Sequence, residues 1–339
     1  DWVVRRGIRA ILRTRLRDER RRQRTTAFIA ELADGPIALH TADANAQHYE
    51  VPAAFYQHVL GPHLKYSACL WPDAGGSLAD AEAHMLSVTA ERADLANGQQ
   101  VLELGCGWGS LSLYMAARYP DSRIVAVSNS HSQRQFIEAA AAARGLANLQ
   151  VITADMNTFD PRAAGIATRF DRVVSVEMFE HMRNYPRLLA RIAAWMHDEG
   201  RLFVHVFVHR EFAYPYEAEG ATDWMAEHFF SGGTMPSEGL LPSFQSDVVV
   251  EAQWRINGTH YARTCEAWLD NMDRHRRDVD QVLALAYGAT EVTRWRARWR
   301  TFFMACAELF AFRGGQEWFV AHYRFRPRRD GLPIQGAHT

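Results

Sequence analysis

Apolar residues recur at helical spacing from the start of the chain. Val3, Val4, Ile8, Ile11, Leu12 and Leu16 are separated by arginines, which predicts a basic amphipathic helix over residues 1–24. From Thr26 to Leu95 the pattern stays helical with short interruptions, and Gly75-Gly76-Ser77 marks a turn before a helix over 79–95. The period then changes. Short apolar runs at 100–104, 123–128, 149–153, 172–176 and 201–208 predict strands, and the stretches 110–118, 131–144 and 185–197 predict helices. Such alternation implies a doubly wound parallel α/β sheet whose ligands sit beyond the carboxyl ends of the strands. Residues 210–253 are rich in aromatics, Gly and Pro without a clear period, and too many for a routine connection. They are expected to form a lid or substrate-facing insertion. Helices are predicted again over 265–287 and 290–311, and a closing strand over 318–325. The sequence holds no internal repeat and no low-complexity linker.

Composition narrows the class. With 339 residues, 48% hydrophobic and 23% charged, the chain has the balance of a soluble globular protein, long enough for two domains or one large domain with an added lobe. A net charge of −1 excludes a nucleic-acid binder that acts through overall charge, while a local basic patch stays open. Residues 1–24 are such a patch, with ten arginines against three acids. One reading is a solvated helix packing its apolar stripe on the main body. The other is a helix for peripheral contact with anionic lipid, for covering the substrate mouth, or for a homodimer interface. Four cysteines, none in a CxxC pair, suggest neither a disulfide framework nor a cysteine zinc site and fit a reducing cytoplasm. No apolar run suits a membrane span, and the arginine-rich start lacks the apolar stretch of a secretory signal. Every basic residue except Lys65 is arginine and alanine is abundant, which points to a GC-rich, bacterial genome.

The strongest chemical signal is Val101-Leu-Glu-Leu-Gly-Cys-Gly-Trp-Gly-Ser110, a strand entering a glycine-dense turn and then a helix. Glycines at 105, 107 and 109 let the backbone bend tightly and approach a ligand without Cβ atoms in the way. A dinucleotide fingerprint fits poorly, because position 110 is Ser and the next strand ends in Ser128-Asn129 with no carboxylate. No Gly-Lys-Ser follows to make a phosphate loop. The E-x-G-x-G-x-G form, with Glu103 two residues before Gly105, resembles motif I of class I methyltransferases that use S-adenosylmethionine. Asp155 and Met156 sit just past a strand, where such enzymes present a carboxylate to the adenine amine. Local sequence alone reads Asp155 equally as a helix cap.

Further motifs extend the likeness: Ser175-Val-Glu-Met-Phe-Glu-His-Met182, Phe229-Phe-Ser-Gly-Gly-Thr-Met-Pro236, Asn257-Gly-Thr-His-Tyr261 and Trp299-Arg-Thr-Phe-Phe303. Together they resemble the coclaurine N-methyltransferases within the wider cyclopropane fatty acid synthase family, over almost the whole chain from Gln47 to Phe325. The resemblance implies a mostly parallel seven-stranded Rossmann-like sheet. It divides the chain into a helical extension and cofactor cover (1–70), a cofactor-binding core (71–209), a lid and helical substrate-binding insertion (210–311), and a closing strand with a tail (312–339). It implies cofactor contacts from Tyr66 and Ser67, from Gly105, Gly107, Trp108 and Gly109, from Ser128, Asn129 and Gln133, and from Asp155 and Met156.

The same resemblance places the chemistry on Glu177, Glu180 and His181. An amine acceptor arrives mostly as ammonium and cannot attack a sulfonium until it loses a proton, which His181 supported by Glu180 is expected to take while Glu177 attracts the cation. No metal is expected, since HExxH is absent and position 177 is Glu rather than His. The lipid-modifying branch of the family is associated with bicarbonate. Glu180, His205 and Tyr261 match that pocket, but Ala68 stands where its cysteine belongs, with Cys69 one place later. Tyr214, Trp224, Phe229, His205 and Tyr261 are the candidate substrate contacts, as a box for a flat or cationic amine. The alternatives are a core beneath the lid for the aromatics and a structural strand position for His205. Two acceptors therefore stay open, a small amine or the unsaturated acyl chain of a phospholipid. A cofactor-binding protein without catalysis is disfavoured by the Glu-x-x-Glu-His run.

Overall fold

Alternation along the central strands buries both faces of one sheet. The computed structural model describes residues 1–39, 51–73, 75–166, 169–216 and 232–329; Trp224 and Phe229 lie outside the described residues. Five parallel strands form the centre: β1 (Gln100–Leu104), β2 (Arg123–Ser128), β3 (Leu149–Thr153), β4 (Phe170–Val176) and β5 (Met196–His209). A short antiparallel ribbon follows, β6 (Tyr214–Pro215) with β7 (Thr234–Met235). Two antiparallel strands, β8 (Val248–Ile256) and β9 (Trp318–Pro327), then complete a seven-stranded sheet of order β3-β2-β1-β4-β5-β9-β8.

Successive side chains point to opposite faces. Leu102, Val125, Val173, Leu202 and Val204 face a core that includes Leu188, Leu189 and Ile192 of the helix Tyr185–Trp195. Val101, Ile124, Val174 and Phe203 face Leu86, Leu111 and Met115 on the other side. The helices are set by local caps. Ser77 and Asp80 form a reciprocal capping box at the start of Leu78–Arg92, Ser130 accepts from Gln133 N–H, and Asn184 accepts from Arg187 N–H with a proline in the first turn.

In chain order the helices are α1 (Trp2–Arg22), α2 (Thr25–Glu31), α3 (Ala53–Val59), α4 (Leu78–Arg92), α5 (Ser110–Arg118), α6 (His131–Ala143), α7 (Tyr185–Trp195), α8 (Gly258–Arg274), α9 (Arg276–Tyr287) and α10 (Val292–Ala311). Helices α3, α8, α9 and α10 share a second core of Phe55, Tyr56, Trp268, Trp299 and Phe303. The basic helix packs on it: Leu16 is buried, Ile8 and Leu12 lie against the same core, and Arg5 makes 2.6 and 2.7 Å bonds to the two carboxylate oxygens of Glu266. Among the described residues no helix is long and apolar enough to cross a membrane.

Strand β8 falls inside the stretch expected to be an aperiodic insertion. From Val250 to Ile256 it alternates apolar residues with exposed Glu251, Gln253 and Arg255, the period-two pattern of a strand that the aperiodic reading of 210–253 passed over. The predicted helix over 185–197 ends at Trp195, and β5 begins directly at Met196.

The α8 start is fitted tightly against the last strand. A Cβ on Gly258 would overlap the carbonyl oxygens of Trp318 and Phe310, which are backbone and cannot swing aside. Gly258→Ala is expected to lower stability by about 3 kcal/mol, read as a shift of the urea midpoint. An unchanged midpoint would show that this junction yields more easily than its packing indicates.

Candidate active site

The glycine turn opens at the carboxyl end of β1. Gly105, Gly107 and Gly109 have φ of +80°, +51° and +81°, the left-handed region that costs other residues energy. Close approach adds to this at two of them. A Cβ on Gly105 would meet Met178 Cβ at 2.7 Å, and one on Gly109 would meet Ile137 Cγ1 at 2.6 Å. The N–H groups of Gly105 and Cys106 both donate to Val127 O at 3.0 Å, which ties the turn to β2.

A cavity lies above this turn, bounded by Glu103, Ser128, Asn129, Gln133, Asp155 and Met156 on the sheet side. Glu103 is buried, accepts from Ser112 Oγ, and is pushed up to about 7 by burial. Ser128 Oγ donates to Gln133 Oε1 at 2.7 Å, leaving the buried Gln133 Nε2 without a hydrogen-bond partner. Asp155 Oδ1 also accepts from Asn157 N–H at 2.7 Å, so this residue shapes its own turn as well as lining the cavity.

The segment Gly61–Ser67 covers the cavity from the other side. It is fastened to α4 by one buried carboxylate: Glu82 accepts from the N–H groups of Gly61 (3.1 Å), His63 (2.8 Å) and Lys65 (3.2 Å). Lys65, the single lysine of the chain, is buried and its Nζ donates to Ser67 Oγ (2.5 Å) and Ala68 O (2.7 Å). The rings of Tyr66 and Trp108 both lie 5.0 Å from that of Tyr56, so the cover and the glycine turn meet on one aromatic side chain.

Past β4 the backbone turns sharply at Glu177, whose φ of +49° is unusual for a residue with a long side chain. Its N–H donates to His205 O at 2.8 Å. Its Oε1 accepts from Ala68 N–H (2.9 Å) and lies 3.1 Å from His205 Nε2, and its Oε2 accepts from Tyr261 O–H (2.6 Å). Glu180 follows in a single 3₁₀ turn, buried, with Oε2 lacking any hydrogen-bond partner. Burial raises both carboxyls. Lys65, Ala68 N–H and Tyr261 pull Glu177 back down, whereas the neighbouring Glu177 pushes Glu180 further up. The donors around Glu177 favour its charged form, and Glu180, raised further, keeps its proton to higher pH. His181 completes the run on the cavity wall, opposite Tyr216, Phe302 and Phe310.

Of the residues expected from sequence, Tyr66, Ser67, Glu103, Gly105, Gly107, Trp108, Ser128, Asn129, Gln133, Asp155, Met156, Glu177, Glu180, His181 and Tyr261 line this cavity. Three do not. Gly109 caps α5 behind the turn, and His205 is fully buried behind Glu177. Tyr214 accepts from Trp318 Nε1–H at 3.2 Å beneath the Arg15 guanidinium. Sequence reasoning missed Lys65, Phe302 and Phe310. Lys65 carried a signal as a lone lysine among arginines, and Phe302 lay within the Trp299–Phe303 motif with no role assigned to it. Among the described residues no group of three His, Cys, Asp or Glu is placed to hold a metal ion.

The orphan amide of Gln133, the acid Glu103 and the crowded glycine turn suit a polar, positively charged nucleoside ligand, so the cavity fits S-adenosylmethionine. Comparison with known proteins agrees. The model of the mycolic acid cyclopropane synthetase family matches residues 38–317. An (S)-coclaurine N-methyltransferase of Thalictrum flavum subsp. glaucum is 38% identical over 86% of this chain and 81% of its own length. A crystal structure of coclaurine N-methyltransferase bound to N-methylheliamine and SAH superposes with a TM-score of 0.89 at 34% identity, covering 95% of this chain and 94% of that one. A cyclopropane synthase from Mycobacterium tuberculosis shares the fold, with a TM-score of 0.72 at 20% identity over 85% and 99% of the two chains. The Thalictrum relative is a plant enzyme, and the bacterial source read from composition gains no support from it.

Glu82→Ala leaves three backbone donors of the cover without an acceptor, each loss costing about 1–3 kcal/mol where water cannot replace it. Amide exchange at residues 61, 63 and 65 is expected to accelerate, with amides in β1 and β2 unaffected. Uniform acceleration across the chain would mean that Glu82 supports the whole fold rather than the cover.

Proposed function

We propose, for a chain that belongs to the mycolic acid cyclopropane synthetase family and is an S-adenosylmethionine-dependent methyltransferase, that the methyl acceptor is the nitrogen of a small aromatic or cyclic amine. The observation that carries this reading is the engagement of Glu177. Of Glu180, His205 and Tyr261, which the lipid-type resemblance assigns to bicarbonate, His205 and Tyr261 bond here to the chain's own carboxylate at Glu177, as does the backbone N–H of Ala68, which stands where that pocket's cysteine belongs. The donors for a free anion are already taken by a fixed one. A fixed negative charge beside an apolar, aromatic-lined cavity suits a cationic organic ligand. The likeness to proteins named for N-methylation, at 38% and 34% identity, supports the same reading.

In this assignment Gly105, Gly107, Trp108 and Gly109 shape the cofactor turn, and Asp155 and Met156 face adenine. Ser128, Asn129 and Gln133 take the ribose and methionine contacts, with Tyr66, Ser67 and Glu103 at the methionine end. Residues 1–70 are the extension and cofactor cover, 71–209 the cofactor core, 210–311 the lid and substrate insertion, and 312–339 the closing strand and tail. S-adenosylmethionine supplies, when bound, an electrophilic methyl group on a sulfonium. The protein supplies placement and proton removal. Glu177 draws the ammonium form of the amine between Tyr216, Phe302 and Phe310. His181, supported by Glu180, takes its proton, and the exposed lone pair is aligned for in-line attack. The new N–CH₃ bond, formed as the S–CH₃ bond breaks and its electron pair stays on sulfur, returns the nitrogen to positive charge, which the Glu177 carboxylate balances until release.

Incubation with methyl-labelled S-adenosylmethionine tests the acceptor, using a panel of aromatic and cyclic amines beside vesicles of unsaturated anionic phospholipid. Label is expected in an amine; label in the lipid alone overturns the reading. His181→Ala is expected to lower kcat about 100-fold or more with cofactor affinity unchanged. Wild-type turnover in that variant removes His181 from the mechanism.

Glu103 gives a separate expectation. Its carboxyl is raised to about 7, and a cationic methionine end favours its ionised form. Cofactor affinity should therefore hold above pH 7 and fall as pH drops below it, by about tenfold per unit at most. Glu103→Gln should abolish that slope. Calorimetry that finds the same slope in both proteins would place the methionine end elsewhere.

A further inference from the structure

Beyond the cavity, antiparallel pairing of β5 with β9 sets His205 directly opposite His322. Both rings are fully buried, and the same face of the sheet is covered by α4, whose last turn carries Arg92. Three contacts join these groups to the active site. Arg92 Nη1 lies 2.9 Å from His322 Nδ1, His322 Nε2 lies 2.9 Å from His205 Nδ1, and His205 Nε2 lies 3.1 Å from Glu177 Oε1. We propose that Arg92, which touches neither reactant, is a positioning residue that fixes the direction of this hydrogen-bond chain and so aims a donor at Glu177.

The direction follows from chemistry at the two ends. A guanidinium can only donate, so His322 Nδ1 accepts and its proton sits on Nε2. That proton is given to His205 Nδ1, which leaves His205 protonated on Nε2 and donating to a carboxylate that can only accept. Each ring has one available tautomer. With Ala68 N–H and Tyr261 O–H also donating, Glu177 is surrounded by donors and is held as the acceptor. The chain cannot run in reverse, because Arg92 cannot take a proton. A proton drawn from the substrate therefore leaves by the Glu180 and His181 side and not through the sheet.

The surroundings enforce the neutral state of the rings. Burial together with Lys65 and Arg92 holds both imidazoles well below their ordinary range, and His205 further disfavours protonation of His322. The Phe203 ring meets His322 edge-on at 5.0 Å and adds no charge. Glu177 is the carboxylate facing the chain, with Glu180, His181 and Tyr261 beyond it. Arg92 itself lies over the Trp254 ring at 5.1 Å, and among the described residues no carboxylate pairs with its guanidinium. Its Nη1 is thus committed inward, in the manner of an outer group that fixes an imidazole tautomer for the residue in front of it.

The link from this relay to turnover rests on the proposed role of Glu177, but the relay itself is testable without substrate. In ¹⁵N-histidine-labelled protein, two buried rings are expected as Nε2–H tautomers that do not titrate between pH 5.5 and 8.5. Arg92→Met should release them, move the acidic limb of kcat against pH upward by about one unit, and lower kcat about tenfold at pH 7. Arg92→Lys, which restores a donor, should recover most of both. His322→Gln keeps an acceptor for Arg92 and a donor for His205 and should behave like the parent, whereas His322→Leu should behave like Arg92→Met. An Nδ1–H tautomer at either ring of the parent, or an Arg92→Met enzyme with the parent pH profile, overturns the proposal. If the tautomers are as expected but no amine is methylated, the relay stands and the proposed acceptor falls.

Discussion

Charge held away from water at Glu177 is the constraint on which the rest of the site depends. An ionised carboxylate removed from solvent loses several kcal/mol of hydration unless protein groups replace it. Hydrogen bonds to a charged group return about 1.5–3 kcal/mol each. Three donors meet this carboxylate, from the cover segment (Ala68), from β5 (His205) and from α8 (Tyr261). Their combined return is of the same order as the loss. The position of three separate elements is therefore read by one side chain, and a shift in any of them would leave the charge undersupported. The left-handed backbone at Glu177 belongs to the same compromise, since it lets the N–H stay paired with β5 while the side chain turns back beneath the cover.

Glu180 shows the opposite solution three residues later. Its Oε2 has no hydrogen-bond partner, it is more deeply buried, and it sits beside a charge of its own sign. Two carboxylates close together with unlike environments separate into a charged and a protonated member, which is the usual way a single cavity holds both an acceptor and an acid. The asymmetry comes from donors and not from residue type. Exchanging the donor sets would exchange the roles.

Sequence legibility followed the range of the interactions. The glycine turn could be read because its demands are local: positive φ at 105, 107 and 109, and a strand and helix on either side. The five parallel strands could be read because burial on both faces leaves continuous apolar runs. Strand β8 was missed although Glu251, Gln253 and Arg255 alternate with Ala252, Trp254 and Ile256, because it straddles the end of an aromatic, glycine-rich stretch and was absorbed into it. The relay behind Glu177 was illegible for a different reason. His205 was visible as one of several histidines on a strand, but its meaning depends on an antiparallel register that places His322, more than a hundred residues later, against it. Period-two alternation gives the face of a histidine and not its neighbour. Phe302 and Phe310 were likewise indistinguishable from core until α10 was placed over the carboxyl ends of the strands.

The arginine-rich helix shows how a charge run acquires meaning from what it packs against. Arg5 engages Glu266 on α8 and Glu308 on α10, and Arg9 engages Glu308, while Arg24 turns back to Glu19 on α1 itself. Partly exposed pairs of this kind contribute about 0–1 kcal/mol each, so they do not by themselves hold the helix. Burial of Leu16 and the packing of Ile8 and Leu12 supply the attachment, and the ion pairs set its register. Helices α8 and α10 are the two that carry Tyr261, Phe302 and Phe310 to the cavity. A helix that spans both of them therefore bears on the distance between the Glu177 donor and the aromatic wall opposite. Whatever else its outer surface meets, the inward side of α1 is already committed to the wall of the site.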